Sequence, residues 1–269
     1  MVPAFDDCFP DLNQFIGELA EAYRRRKISS WDALQEKVDA YFTPPRMKRM
    51  ESKLPGWRKM ASQKEGVTLT HVMCVFLGLI MLPEFQAFSE AQRQLAKWIV
   101  LFHDVEKEIE DGEKDKKHAF RSAIAATKQL PHLGFEVTRE YDSLIEAWSE
   151  LTYSAIKSSE AFREPIQDND KLPQILSGLE QMFGEDTPAT SVVKCVLLHM
   201  SVNVVTEWPQ AAPLTDEEIK RYINDRLAPL LKVMMLADNE GWVLFSEERQ
   251  RQRSETLAAF QRIEDIISK

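Results

Sequence analysis

The chain is poor in cysteine, and its three cysteines exclude one common kind of metal site. Cys8, Cys74 and Cys195 lie far apart in the 269 residues and form no CxxC pair, which excludes a structural zinc site built from cysteine pairs. Cys74 and Cys195 lie inside apolar runs, so we predict that both are buried free thiols. This cysteine usage fits a reducing compartment.

Glycine and long apolar runs are also scarce. The nine glycines form no glycine-rich phosphate loop, GxSxG elbow or GxGxxG turn, which excludes the sites built on those motifs. The longest apolar runs, near 72–82 and 192–205, are shorter than the roughly 20 residues that span a bilayer. The first residues lack the basic and apolar regions of a signal peptide. We therefore expect a cytoplasmic protein that does not bind membranes.

Positive charge is in deficit, because 34 lysines and arginines face 43 aspartates and glutamates and the net charge is −9. This balance argues against a general nucleic-acid binder, since phosphate neutralisation needs a basic surface. A small anionic substrate held in a local pocket remains compatible with an acidic chain.

The apolar residues follow a helical period along nearly the whole chain, and alternating strand patterns are nearly absent. We predict an all-α fold, a multi-helix bundle in which prolines mark the helix boundaries. Two early helices begin near Asp11 and Ser30, and further helices are expected at about 46–63, 68–82, 89–104, 116–130, 138–161, 171–183, 188–206, 215–237 and 246–268.

Polarity divides the chain into a core and peripheral segments. Residues 1–66 form charged amphipathic helices, predicted to be an N-terminal extension packed on the core. The core is predicted to span 67–245, with a polar insertion or flap at about 162–191. Residues 246–269 form an amphipathic terminal helix that could dock on the core or contribute to a homo-oligomer.

Histidines and aspartates are placed at the most apolar segments. His71 and His199 lie in segments that are apolar nearly all round, which is typical of buried helices. His103 and Asp104 end another apolar run, and Asp238 ends a fourth. His118 begins the helix after a densely charged stretch that starts at Asp104. A single histidine of this kind is more often a core residue than a ligand, but the set favours a metal site.

A buried ionised carboxylate is costly unless it is paired or bound to a metal. Imidazole and carboxylate ligands together suit Fe, Mn, Zn, Co or Ni. A divalent transition metal, one or two ions, would offset this cost and activate a water molecule near neutral pH. The sequence therefore indicates metal-assisted hydrolysis without a serine or cysteine nucleophile.

The order of these residues resembles the HD superfamily of metal-dependent phosphohydrolases. The resemblance covers roughly 67–245 and depends on "THVMCVF" around His71, "IVLFHDVEK" around His103 and Asp104, and "VMMLADNEG" around Asp238. "KKHAFRSAIAATKQL" around His118 and "VVKCVLLHMS" around His199 look like the helices that supply further histidines in dinuclear members.

The resemblance implies an HD-like helical core and a specific set of ligands. His71, His103, Asp104 and Asp238 would hold a first metal, and Asp104 would bridge to a second metal held by His118 and His199. Catalytic roles would fall to Asp104 and to Lys107, which matches the lysine of the HDxxK pattern and is expected to contact phosphate. The implied substrate is a small phosphorylated compound or nucleotide: a phosphomonoester, a nucleotide or a phosphodiester.

Several alternatives stay open at the level of sequence. Lys107 could instead be a solvated lysine, and Glu106 stands where the family often has glycine, which puts a carboxylate near the expected anion site. His132 is predicted to be a surface or loop histidine, with a ligand of the second metal as the alternative. An HD-like mixed-valent di-iron oxygenase would use the same four histidines and two aspartates, and a third possibility is a non-catalytic HD-fold protein that binds a nucleotide or metabolite.

Overall fold

The computed structural model describes residues 2–108, 115, 118–157, 166–167, 169–202 and 214–269. These residues are mostly helical, and the predicted all-α class is confirmed. The α-helices of the described residues are α1 Phe5–Cys8, α2 Pro10–Arg24, α3 Trp31–Tyr41, α4 Pro44–Lys53, α5 Trp57–Ser62, α6 Val67–Met81, α7 Pro83–Gln86, α8 Glu90–Phe102, α9 His118–Gln129, α10 Tyr141–Ser154, α11 Leu172–Phe183, α12 Pro188–Val202, α13 Asp216–Tyr222, α14 Leu227–Val243 and α15 Arg249–Ile267.

Short elements complete the described chain. Turns of 3-10 helix cover Gln63–Gly66, Leu130–Leu133 and Asn169–Lys171. Strands β1 Ile156–Lys157 and β2 Ile166–Gln167 pair in antiparallel orientation. Within the predicted insertion 162–191, α11 packs against α10, while residues 162–165 and 168 lie outside the described residues.

Local sequence explains where several helices begin. Prolines occupy the first turns of α2, α4 and α7, where their missing N–H costs no helical hydrogen bond. Ser89 and Gln92 form a capping box at α8, and Thr215 and Glu218 form another at α13. Such boxes satisfy backbone N–H groups that the first helical turn leaves unpaired.

Two predicted helices are each divided in the structure. The helix expected at 46–63 is broken between α4 and α5, because Pro55 lacks an N–H and Gly56 has a φ of +102°. The helix expected at 215–237 is broken between α13 and α14, where the Asn224 side-chain oxygen accepts a hydrogen bond from the Leu227 N–H at 2.9 Å. The predicted helix at 138–161 ends earlier, at Ser154, and residues 203–206 of the one predicted at 188–206 lie outside the described residues.

Three helices that are buried on nearly every face form the centre of the molecule. α6 packs most extensively against α14, and α12 packs against α8, α9 and α14. The approach of α6 and α14 is close at two glycines: a Cβ on Gly78 would lie 3.5 Å from the Ala237 carbonyl oxygen, and one on Gly241 would lie 2.9 Å from Val75 Cγ2. This close crossing determines how near side chains of α6 come to those of α14.

The terminal segments pack onto this centre. Phe5 of α1 contacts the rings of Phe76 on α6 and Trp98 on α8. α15 lies along α14, where the buried Glu240 pairs with Arg249 and Arg253. Among the described residues, no helix combines the length and the apolarity that crossing a membrane requires.

Candidate metal centre

The structure brings all six predicted ligands together in the interior. His71 lies on α6, His199 on α12 and Asp238 on α14, while His103 caps the C-terminus of α8 and Asp104 follows it. His118 is the first residue of α9. All six residues are buried, and Asp238 is the most exposed of them at 8%. Five separate segments of the chain therefore meet at one point.

Four of these residues surround a first position. His71 Nε2 lies 3.0 Å from Asp238 Oδ1 and 3.6 Å from Asp104 Oδ2. His103 Nε2 lies 3.5 Å from the same Asp104 oxygen and 3.9 Å from Asp238 Oδ1. Metal–ligand bonds of about 2.1 Å place neighbouring donors about 3.0–3.4 Å apart, so this spacing is close to that of a metal coordination shell.

The other oxygen of Asp104 belongs to a second position. Asp104 Oδ1 lies 3.1 Å from His118 Nε2, and His118 Nε2 lies 3.2 Å from His199 Nε2. The groups His71–His103–Asp104 and Asp104–His118–His199 each have donor atoms within 4.8 Å of one another. One carboxylate therefore faces two clusters of donors, one with each oxygen.

Backbone carbonyl groups determine which histidine nitrogen faces the centre. The Nδ1 atoms of His103 and His199 lie 2.7 Å from the carbonyl oxygens of Val100 and Val196, and His118 Nδ1 is bonded to the Asp115 carbonyl. A carbonyl oxygen only accepts, so each Nδ1 carries a proton and each ring turns its Nε2 toward the centre. This is the orientation that metal-binding histidines need.

Nitrogen and oxygen atoms of these side chains face one another at short distances across the centre. His118 Nε2 lies 3.2 Å from His199 Nε2, and His118 Nε2 also faces Asp104 Oδ1. His103 Nε2 and Asp104 Oδ1 are buried and have no hydrogen-bond partner among the described residues. Acceptors crowded together in a buried site repel each other unless a cation lies between them. The donor set therefore fits a metal ion, and these buried groups could hold one.

The charge states of the site also favour metal binding. Burial lowers the pKa of His199 to about 3, and the nearby His118 adds to this effect, so the ring is neutral near neutral pH. Burial acts to raise the pKa of Asp104, but His103 and the Lys107 ammonium outweigh it and hold the pKa well below its usual range. The pKa of Asp238 is also lowered, because the contact with His71 outweighs burial.

Lys107 lies at the centre, not in solvent. Its Nζ donates a hydrogen bond to Asp104 Oδ2 at 2.7 Å, and its side chain is only 14% exposed. Burial acts to lower the pKa of Lys107, but Asp104 and Asp238 outweigh it and the pKa is raised. The solvated alternative for Lys107 is therefore wrong, and its ammonium is a fixed positive charge beside the ligands.

Glu106 and His132 lie outside this cluster. The Glu106 carboxylate is 3.7 Å from Lys59 Nζ and lies beside Gly56, away from the ligands, so it does not oppose an anion at the centre. His132 is exposed on its 3-10 turn, which confirms the prediction of a surface histidine. Residues 109–114, in the middle of the charged stretch between Asp104 and His118, lie outside the described residues.

The structure adds an aromatic neighbour that the sequence reasoning missed. The indole of Trp242 stacks on His71 with ring centroids 3.9 Å apart, and Lys107 Nζ lies 5.4 Å from its centre. Trp242 is 46% exposed and follows Asp238 by one helical turn. It therefore lies between solvent and the first position. Residues four apart share a helix face, so a helix predicted to continue past Asp238 would have placed Trp242 beside it.

Comparison with known proteins gives no match: no protein-family model matches the chain, and no curated protein or solved structure is significantly similar to it. The geometry of this site is therefore the evidence from which a function can be inferred.

Proposed function

We propose that this chain is a metal-dependent phosphohydrolase of the HD type, acting on a small phosphomonoester, nucleotide or phosphodiester. The observation that carries the proposal is the bridging position of Asp104, whose two oxygens face two separate donor clusters. A carboxylate shared between two ions is typical of hydrolytic centres in which paired metals stabilise both the attacking and the leaving oxygen.

The donor set also restricts the class of ion. Four imidazoles with two carboxylates, in a site without cysteine ligands, suit Fe, Mn, Zn, Co or Ni better than Mg or Ca. Ions of this kind lower the pKa of bound water and offset negative charge on phosphoryl oxygens. One or two such ions are part of the proposal.

The protein's own groups would supply orientation and charge. The backbone carbonyls of Val100, Asp115 and Val196 fix three imidazoles with Nε2 toward the centre. The Lys107 ammonium, held beside Asp104, offers a positive charge to a phosphoryl oxygen. Asp238 is the most exposed ligand, so substrate would approach from its side, next to Trp242.

The test combines metal analysis with hydrolysis assays. The purified protein is loaded in turn with Mn, Fe, Co, Ni and Zn, its metal content is measured, and phosphate release is followed on p-nitrophenyl phosphate, bis-p-nitrophenyl phosphate and a nucleoside monophosphate. We expect bound metal and turnover that a chelator abolishes. His103→Ala should remove activity, whereas His132→Ala, a change at an exposed histidine outside the cluster, should not.

Three results would overturn the proposal in different ways. Iron with an optical spectrum that changes on exposure to oxygen, and no phosphate release, would identify an HD-like di-iron oxygenase. Tight binding of a nucleotide without product after long incubation would identify a non-catalytic binding protein. Protein that takes up none of the five metals would refute the metal centre itself.

A further inference from the structure

We propose that Arg121 is the positioning residue of the second metal position: it ties together the two ends of the segment between Asp104 and His118 and so orients His118. This inference rests on the proposed metal centre. Among the described residues, Arg121 forms no hydrogen bond or ion pair with any of the six ligands, and it acts through Asp115.

The guanidinium of Arg121 binds both ends of this segment. Its Nη2 and Nε donate hydrogen bonds to the Glu106 carbonyl oxygen at 3.0 and 3.3 Å. Its Nη2 also donates to the Asp115 carboxylate. Glu106 is two residues after Asp104, and Asp115 is three residues before His118. A planar group with several fixed donors can hold two such acceptors at once, which the single ammonium of lysine does less well.

Further hydrogen bonds fix the same two ends. The Glu108 N–H donates to Asp115 Oδ2 at 2.8 Å, and the Glu106 N–H donates to the hydroxyl of Ser122 at 3.2 Å. The Arg121 side chain is only 17% exposed. Residues at the start of α9 therefore fix the backbone at Glu106, just after Asp104. Arg121 also fixes Asp115, just before His118.

Asp115 connects Arg121 to the proposed ligand His118. Its backbone carbonyl accepts the hydrogen bond from His118 Nδ1, which directs His118 Nε2 toward Asp104 Oδ1 and His199. His103 and His199 instead use carbonyls of their own helices, three residues earlier. His118 likewise uses the carbonyl three residues earlier, but that residue, Asp115, lies outside the described extent of α9. Its orientation therefore depends on a loop residue, and that residue depends on Arg121.

The expected consequence is selective loss of the second ion. Loss of a group that orients a metal-binding histidine typically weakens affinity about 10- to 100-fold. His71, His103 and Asp238 have no contact with Arg121 among the described residues, so the first position should be retained. A defect of packing alone would not separate the two positions in this way.

The experiment is a titration of metal-free protein with Mn²⁺, with stoichiometry from elemental analysis after dialysis and affinities from calorimetry. We expect two ions per chain in the unsubstituted protein and one in Arg121→Ala, as in His118→Ala, with an intermediate second affinity in Arg121→Lys. The matched control is Lys128→Ala, on the same helix, which removes an exposed pair with Glu146 and should leave both affinities unchanged.

Further outcomes separate this inference from the proposed function. Two ions in Arg121→Ala with affinities within about twofold of the unsubstituted protein would overturn the role of Arg121 alone. Uptake of a single ion by the unsubstituted protein would also overturn it, because no second position would exist to be oriented. Uptake of none would refute the metal centre as a whole. If Arg121→Ala fails to fold by circular dichroism, Asp115→Asn removes the charge that Arg121 binds and keeps the backbone carbonyl, and it should weaken the second ion selectively.

Discussion

Gly241→Ala tests whether the close crossing of α6 and α14 sets the spacing of the first metal position. A Cβ at this position would lie 2.9 Å from Val75 Cγ2, 3.3 Å from the Val75 backbone nitrogen and 3.3 Å from His71 Cε1. The Val75 methyl group can rotate, but its backbone nitrogen moves only if the two helices separate. Separation would increase the 3.0 Å distance between His71 Nε2 and Asp238 Oδ1.

The free energy of unfolding reflects two opposing effects. Replacing glycine by alanine inside a helix stabilises it by about 1 kcal/mol, and overpacking a filled interior costs about 1–3 kcal/mol. Gly17→Ala is the matched control, since Gly17 lies on the exposed face of α2 and a Cβ there meets nothing within 4 Å. Gly17→Ala should therefore be the more stable variant by about 1–3 kcal/mol.

Thermal and denaturant unfolding of the two metal-free variants measure this difference, and calorimetry with Mn²⁺ measures the first affinity. We expect Gly241→Ala to bind the first ion about tenfold more weakly and Gly17→Ala to bind it normally. Equal stability of the two variants together with equal affinity would refute the claim that this helix contact determines the ligand spacing.

Three further predictions concern stability. Chelation should lower Tm by about 5–10 °C, because an ion present at about 100 times its Kd adds about 2.7 kcal/mol. The pKa of His199 is about 3 when folded and 6.5 when unfolded, so unfolding takes up a proton between these values and the chelated protein should lose about 1.4 kcal/mol per pH unit as pH falls from 6.5. Glu240→Ala should cost about 3 kcal/mol, because Arg249 and Arg253 lose a partner that is 1% exposed.

Each of these predictions has its own control. Chelation of His103→Ala should change Tm much less, and an equal change would mean that the chelator acts elsewhere. His199→Gln should reduce the slope of stability against pH below 6.5, and an unchanged slope would contradict the assignment to His199. Glu255→Ala, which removes an exposed pair with Arg251, should cost less than about 1 kcal/mol of unfolding free energy. An equally small loss for Glu240→Ala would contradict the stabilising role of its buried pairs with Arg249 and Arg253.

The meeting of these six side chains in the interior could be predicted from the sequence, because polar residues stand there in strongly apolar segments. His71 and His199 stand in segments that are apolar on all sides, and a polar group in such a place needs a partner. The sequence does not contain the direction of each ring, which depends on carbonyl oxygens such as those of Val100 and Val196. That information arises only when the helix ends are formed.

The sequence did not indicate that α14 continues past Asp238 to Val243. For that reason the residues that surround Asp238 could not be predicted either. Asn239 and Glu240 read as the polar end of a helix, but both are buried beneath α15, where Thr256 and Arg253 bond to them. Polar residues satisfied by another helix interrupt the apolar period without ending the helix. The position of Arg121 could not be predicted for a related reason. One of its partners is the backbone carbonyl of Glu106, and a contact with the backbone leaves no pattern in the sequence.

The separation of the ligands along the chain has a consequence for the order of folding. His71 and Asp238 are 167 residues apart, and His118 and His199 are 81 apart. In a zinc finger, whose ligands are local, the ion organises an otherwise unfolded chain. Here the loops to be closed are long, and the entropy of closing them must first be overcome by burying α6, α12 and α14. Folding should therefore precede metallation, and an ion bound at the proposed centre would enter an interior that apolar packing has already assembled.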